Sequence, residues 1–244
     1  MAEALGKSSS CADVRRALNT DSSTLSDISI VLTGATAGLG MQLAFELASL
    51  GATLVCGVRS EEKGAALVSA ALDQGITSTP EWGLGVQTLP LDLSSQTSVR
   101  QFATSVEQRV SAGDLPPLRQ LVLNAGRLSM NHETSEEGIE STFATNHVGH
   151  FLLTSLLLPT LRVGATAAAP SRVVVVGSAS HYGCVCCCPV SSFLRCNRKE
   201  WVPQATCHRQ APTYRRAGVA RESCQSTVLA VDHAQGVDGS VREL

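Results

Sequence analysis

The residues of this chain best placed to do chemistry are glycines. The stretch TGATAGLG, Thr33 to Gly40, follows the apolar run ISIVL and precedes MQLAFELASL, so it lies between an expected buried strand and an expected helix. A glycine-rich turn at that place lets backbone approach a pyrophosphate while the helix N-terminus faces its negative charge. Gly34, Gly38 and Gly40 are the glycines suited to this, with Thr36 and Leu39 in the same turn. The plain alternative is a tight turn needing positive φ, and the strand-turn-helix setting favours the dinucleotide site.

The acidic residue expected ~20 positions further on, which would bind a ribose 2′-hydroxyl, is missing, because the second strand ends Gly57-Val58-Arg59-Ser60. Arg59 can make a planar, bidentate contact with a 2′-phosphate, which points to NADP rather than NAD. Its alternative is a solvated residue at the start of a helix. Asp92, beside Leu93 in LDL, reads equally as an acceptor for an adenine amino group or as a cap for the next helix. Asn124, Ala125 and Gly126 close a fourth strand with small residues, which leaves room for a cofactor at the carboxyl edge of a sheet or simply makes a turn.

The elements that hold these residues alternate. After the first strand and the helix that Gly51 ends come TLVCGV as strand, residues 60–72 as helix, GVQTLPL as strand and residues 97–111 as helix. QLVLNAG then reads as strand, a helical pattern runs through Ile139, Phe143, Val148, Phe151 and Leu152, and SRVVVVG closes as strand. Strands that are apolar throughout, separated by helices, argue for a parallel sheet covered on both faces, an α/β fold with right-handed crossovers. Residues 1–27 are expected to be an N-terminal extension and 28–183 the cofactor-binding domain. Residues 184–244 have no convincing period, are rich in Arg, Ser and Cys, and read as a divergent tail expected to be poorly ordered.

The chain has 244 residues and a formal net charge of −2, so one sizeable domain is expected and no basic footprint suggests nucleic acid. The longest apolar stretch, FLLTSLLLPTL, is interrupted by Thr154, Ser155 and Pro159 and is shorter than the ~20 residues of a membrane span, so it reads as a buried helix end. No secretory signal is legible, and a cytoplasmic protein with a small-molecule ligand is the expectation. The oligomeric state is left open, a homo-oligomer included.

Taken in order, TGATAGLG, GVRSEEKG, LDL, LVLNAG, TNHVGHFLLT and RVVVVGSAS resemble the short-chain dehydrogenase/reductase family, most nearly its retinol dehydrogenase and protochlorophyllide reductase branches, over about residues 28–183. The resemblance implies a Rossmann doubly wound sheet, strand order 3-2-1-4-5, that moves a hydride between NADP and a small carbonyl or alcohol. It implies a supporting asparagine at Asn146 and a substrate-orienting serine at Ser178. The alternatives are a satisfied helix polar group at Asn146 and a strand-end hydroxyl at Ser178 bonding its own turn.

The resemblance also implies a tyrosine with a lysine four residues later, and this chain has none. Its lysines are Lys7, Lys63 and Lys199 and its tyrosines Tyr182 and Tyr214, and no pair has that spacing. An isolated tyrosine, pKa ~10, is a poor acid-base group at neutral pH without a neighbouring cation. Arg215 and Arg216 flank Tyr214 but do not stand one helical turn along. Catalysis by the chain as written is therefore expected to be impaired, either because a shifted frame, a retained intron or another exon has replaced the true continuation beyond Gly183 or because the protein binds NADP without turning it over. A third reading, a zinc-stabilised interaction tail using Cys184, Cys187, Cys207 and His208, has ligand spacing unlike common zinc modules, and no metal site is expected.

Overall fold

The computed structural model describes residues 9–76, 85–129, 131, 133–167, 169–177, 228–232 and 242–243. Five strands of the sheet run parallel: β1 (Ser29–Thr33), β2 (Thr53–Val58), β3 (Val86–Pro90), β4 (Leu118–Leu123) and β5 (Arg172–Val176). Their spatial order is β3-β2-β1-β4-β5, as expected, with Val31 opposite both Val55 and Leu121. The chain order reverses between β1 and β4, and a sheet of this kind opens a crevice for ligands at that switch point, outside the carboxyl ends of the strands.

Alternation along each strand builds the two faces. Val31, Val55, Leu121 and Leu123 join one buried cluster with Phe102 and Val106 of α4 (Gln96–Ala112) and Leu153, Leu157 and Leu161 of α6 (Gly149–Gly164). Ile30, Leu32, Leu54, Cys56 and Val122 join the other, with Ala44 and Phe45 of α2 (Gly38–Ser49) and Leu67 and Ala71 of α3 (Glu61–Asp73). Neighbours in sequence thus face opposite helix layers, as a strand period of two requires. Burying one large side chain such as Phe102 contributes ~1.5–3 kcal/mol.

Three features differ from the sequence reading. The extension before β1 contains a helix, α1 (Cys11–Leu18), started by a Ser10–Asp13 capping box and tied by Arg15 to Glu46 at 3.7 Å and to Ser49 at 3.1 Å. The last long helix begins as a short turn, α5 (Ser141–Phe143), passes through a π-helical segment at Ala144–Val148, and continues as α6 through Pro159 to Gly164. The apolar stretch there has one buried face, Leu153, Leu157 and Leu161, and leaves Phe151 exposed. Finally, β6 (Val228–Asp232) pairs antiparallel with β5 and β7 (Arg242–Glu243) pairs antiparallel with β6, so two strands come from the stretch expected to have no periodic structure. VLAVD is too short to display a period, and its partner in the sheet supplies what the run alone does not. The remainder of 184–244 lies outside the described residues.

Candidate functional site

The turn after β1 is built around Thr33. Its buried hydroxyl accepts from the backbone N–H groups of Asn124 and Ala125, each at 3.0 Å, and joins the end of β1 to the end of β4. The Asn124 side-chain amide donates back to the carbonyls of Thr33 at 3.2 Å and Gly34 at 3.1 Å. Gly34 has φ +71°, and a Cβ there would stand 2.7 Å from Ala125 Cα. A Cβ on Gly40 would overlap the Gly34 carbonyl oxygen and the Asn124 amide. Both positions need glycine because backbone, rather than flexible side chain, occupies the space.

Beside this turn opens a cleft of about 460 Å³. Of the residues expected to bind a cofactor, Gly34, Thr36, Leu39, Gly40, Arg59, Leu93, Asn124, Ala125 and Gly126 line it. Gly38 and Asp92 do not stand among the lining residues. Asp92 accepts from the backbone N–H of Ser94 at 2.9 Å and from its hydroxyl at 2.7 Å, which makes it part of the turn that leads into α4.

Helix α2 starts at this cleft, and its N-cap position, Ala37, offers no side-chain acceptor, nor is there an acidic residue in its first turn. By contrast, Ser60 and Ser95 cap α3 and α4. The open N-terminal amides of α2, the two glycines without room for a Cβ, and the cations Arg59 and Lys63 together suit a group carrying several phosphates. The residues present therefore fit a dinucleotide phosphate.

Asn146 sits in the π-helical segment. Its side-chain oxygen accepts from the Arg127 N–H and its amide donates to the Arg127 carbonyl, each at 2.8 Å. Both side-chain polar atoms bond to the Arg127 backbone, so Asn146 fixes the loop after β4 against the helix. Its backbone carbonyl lies 3.2 Å from Nδ1 of His150, a buried residue whose Nε2 lies 3.0 Å from the Thr33 hydroxyl. Burial pushes His150 below the usual imidazole pKa, opposed by the Asn146 contact and assisted by His147.

Ser178, Tyr182, Tyr214, Lys199 and the residues of the zinc reading lie outside the described residues. Among the described residues there is no cluster of metal-binding side chains, and no helix is long and apolar enough to cross a membrane. The sequence reading missed Thr33, Lys63, Arg127, Thr145 and His150. Thr33, Lys63, Thr145 and His150 all lie in the stretches TGATAGLG, GVRSEEKG and TNHVGHFLLT, but their partners at the site come only from the fold.

A sequence profile described as short chain dehydrogenase matches residues 29–188. The chain is similar to the WW domain-containing oxidoreductase of Danio rerio, 43% identical over 158 residues, covering 64% of this chain and 34% of that protein. It is also similar to retinol dehydrogenase 13 of Homo sapiens, 39% identical over 153 residues, covering 62% of this chain and 41% of that protein. Among solved structures, the Pseudomonas aeruginosa RhlG/NADP active-site complex matches with a TM-score of 0.52 at 26% identity, covering 66% of this chain and 58% of that one. The chain spans between 34% and 44% of the length of such curated relatives.

Proposed function

The chain belongs to the short-chain dehydrogenase family, and on that premise we propose that it binds NADP(H) in the glycine-lined cleft, with Arg59 and Lys63 receiving the 2′-phosphate. The observation that carries this reading is the set of lining residues. Both cations stand in the same cleft as Gly34, Gly40 and Asn124, and no carboxylate stands among the lining residues described. A guanidinium and an ammonium there favour a 2′-phosphate, whereas a ribose hydroxyl calls for an acidic partner.

The reaction is hydride transfer between the nicotinamide and a small carbonyl or alcohol, of the kind that retinol and polyprenol dehydrogenases among the relatives are named for. When bound in the cleft, NADPH would supply a hydride to the substrate carbon, and the product oxygen would need a proton. The chain's own part is to hold the pyrophosphate on the α2 amides, to seat the 2′-phosphate on Arg59, and to keep the end of β4 in place through Asn146 and Thr33. Ser178, two residues beyond β5, is proposed to orient the substrate oxygen. Asn146 is a positioning residue in this scheme, because its side chain is held by Arg127.

The proton step is where the chain departs from its family. No Tyr-x-x-x-Lys occurs in its sequence, and loss of general acid-base help costs ~10²- to 10⁴-fold in rate. That absence favours a second reading, an NADP-binding protein of the same fold that turns over little or nothing. The test follows NADPH absorbance with retinal and a panel of aldehydes and ketones, using the chain as written and its Tyr214→Phe variant. Trace consumption in both is expected. Robust turnover that vanishes in Tyr214→Phe would show a relocated tyrosine at work and contradict the impairment.

A further inference from the structure

We propose that His150 is a positioning residue of the cofactor cleft: its neutral imidazole, with hydrogen on Nδ1, ties the Asn146 carbonyl to the Thr33 hydroxyl and so fixes the backbone at Asn124 and Ala125. The part that concerns cofactor rests on the NADP(H) reading above.

Hydrogens and lone pairs at Thr33 decide which nitrogen of His150 is protonated. A threonine hydroxyl has one hydrogen to donate and two lone pairs. Both lone pairs of Thr33 Oγ1 are taken, by the N–H groups of Asn124 and Ala125 at 3.0 Å each. The hydroxyl hydrogen is left for His150 Nε2, also at 3.0 Å, so Nε2 is the bare nitrogen of the ring. The hydrogen is then on Nδ1, which donates to the Asn146 carbonyl at 3.2 Å.

The other states fail the same count. With hydrogen on Nε2 alone, Thr33 lacks a free lone pair to accept it and its own hydrogen loses a partner, while the Nδ1 lone pair faces a carbonyl oxygen. The imidazolium keeps the Asn146 bond but forces Thr33 to release one of the two backbone amides. His150 is 6% exposed and Thr33 fully buried, so a released group has little access to water and its cost is high.

The ties close into a ring. Thr33 bonds to His150, His150 to the Asn146 carbonyl, the Asn146 side chain to Arg127 through two bonds, and the chain from Arg127 returns through Gly126 to Ala125 and Asn124, whose amides bond to Thr33. The imidazole spans this gap because its two nitrogens, one donor and one acceptor, point in divergent directions from a rigid ring. It is also the only member of the ring contributed by α6, so it registers that helix against the carboxyl ends of β1 and β4.

The test uses the full chain, its His150→Phe, His150→Gln and Thr33→Val variants, and two readouts. Nitrogen-15 NMR of the imidazole side chains, with His150 assigned by the signal lost in His150→Gln, is expected to show protonated Nδ1 and bare Nε2 at neutral pH without any cofactor. Thr33→Val is expected to perturb the Nε2 signal. In NADPH titrations, His150→Phe is expected to bind about tenfold more weakly than wild type, and His150→Gln, whose amide also carries one donor and one acceptor, to recover to within about threefold. Hydrogen on Nε2, or wild-type affinity in His150→Phe, or equal weakness in Phe and Gln variants, would overturn the proposal. Wild-type protein that shows the Nδ1 tautomer but binds no NADPH would remove the cofactor reading while leaving the tie itself standing. The NMR arm needs only wild type and one variant, so failure of His150→Phe to fold does not shelter the claim.

Discussion

A methyl group at Gly40 has nowhere to go, since it would meet the Gly34 carbonyl oxygen and the Asn124 amide together. Gly40→Ala is therefore expected to destabilise the protein by ~1–3 kcal/mol, the usual cost of forcing extra volume against packed backbone, and urea unfolding followed by circular dichroism would measure it. NADPH binding should be lost along with it, because the same carbonyl and amide border the cleft. Stability and affinity equal to wild type would show that the turn relaxes freely. At this scale the sequence was informative wherever chemistry is local. Gly34, Gly40, Arg59 and Asn124 stand at strand ends or a helix start whose purpose follows from their neighbours along the chain, and all four line the cleft. Asp92 was balanced between two readings, and the structure puts its carboxylate on Ser94 in the turn before α4. His150, Thr33 and Arg127 were not legible, because their partners lie many residues away in sequence and a lone histidine on a helix announces neither donor nor acceptor.

Helices α3 and α4 begin with a serine whose side chain accepts from the third helical N–H, Ser60 from Lys63 and Ser95 from Ser98, whereas α2 begins uncapped at the cleft. This separates two kinds of helix start, one finished by its own cap and one left open to a phosphate. Ser95→Ala is thus expected to cost ~1 kcal/mol of stability while leaving NADPH affinity unchanged, with thermal unfolding and a cofactor titration as the paired measurements. A loss of affinity larger than the change in stability would mean that the α4 start reaches the cofactor. The strand TLVCGV was readable to the residue, because an apolar β-branched run bounded by Gly51 and Ser60 has a single sensible extent. The start of α2 was read at Met41, three residues late, since glycines at a helix start carry no apolar period. Helix α1 went unread although Cys11, Val14 and Leu18 share one face at helical spacing, because eight residues give barely two turns of period.

The whole molecule combines a sheet whose five parallel strands keep the order of their family with a sequence that lacks the family's Tyr-x-x-x-Lys. The first depends on periodicity repeated over about 150 residues, which survives local change, so the fold was legible almost in full. The second depends on two side chains at one spacing, and no amount of sheet compensates for their loss. If the proposed reading holds, cofactor binding and turnover are separable, and binding is the property to test first. The most direct measurement is a calorimetric titration of the full chain and of Arg59→Ala with NADPH and, separately, with NADH. Wild type is predicted to bind NADPH more tightly than NADH, and Arg59→Ala to weaken NADPH by ~1.5–3 kcal/mol, the worth of a charge-assisted hydrogen bond, while NADH binding barely changes. An equal loss for both cofactors, or wild-type preference for NADH, would contradict the assignment of the cleft.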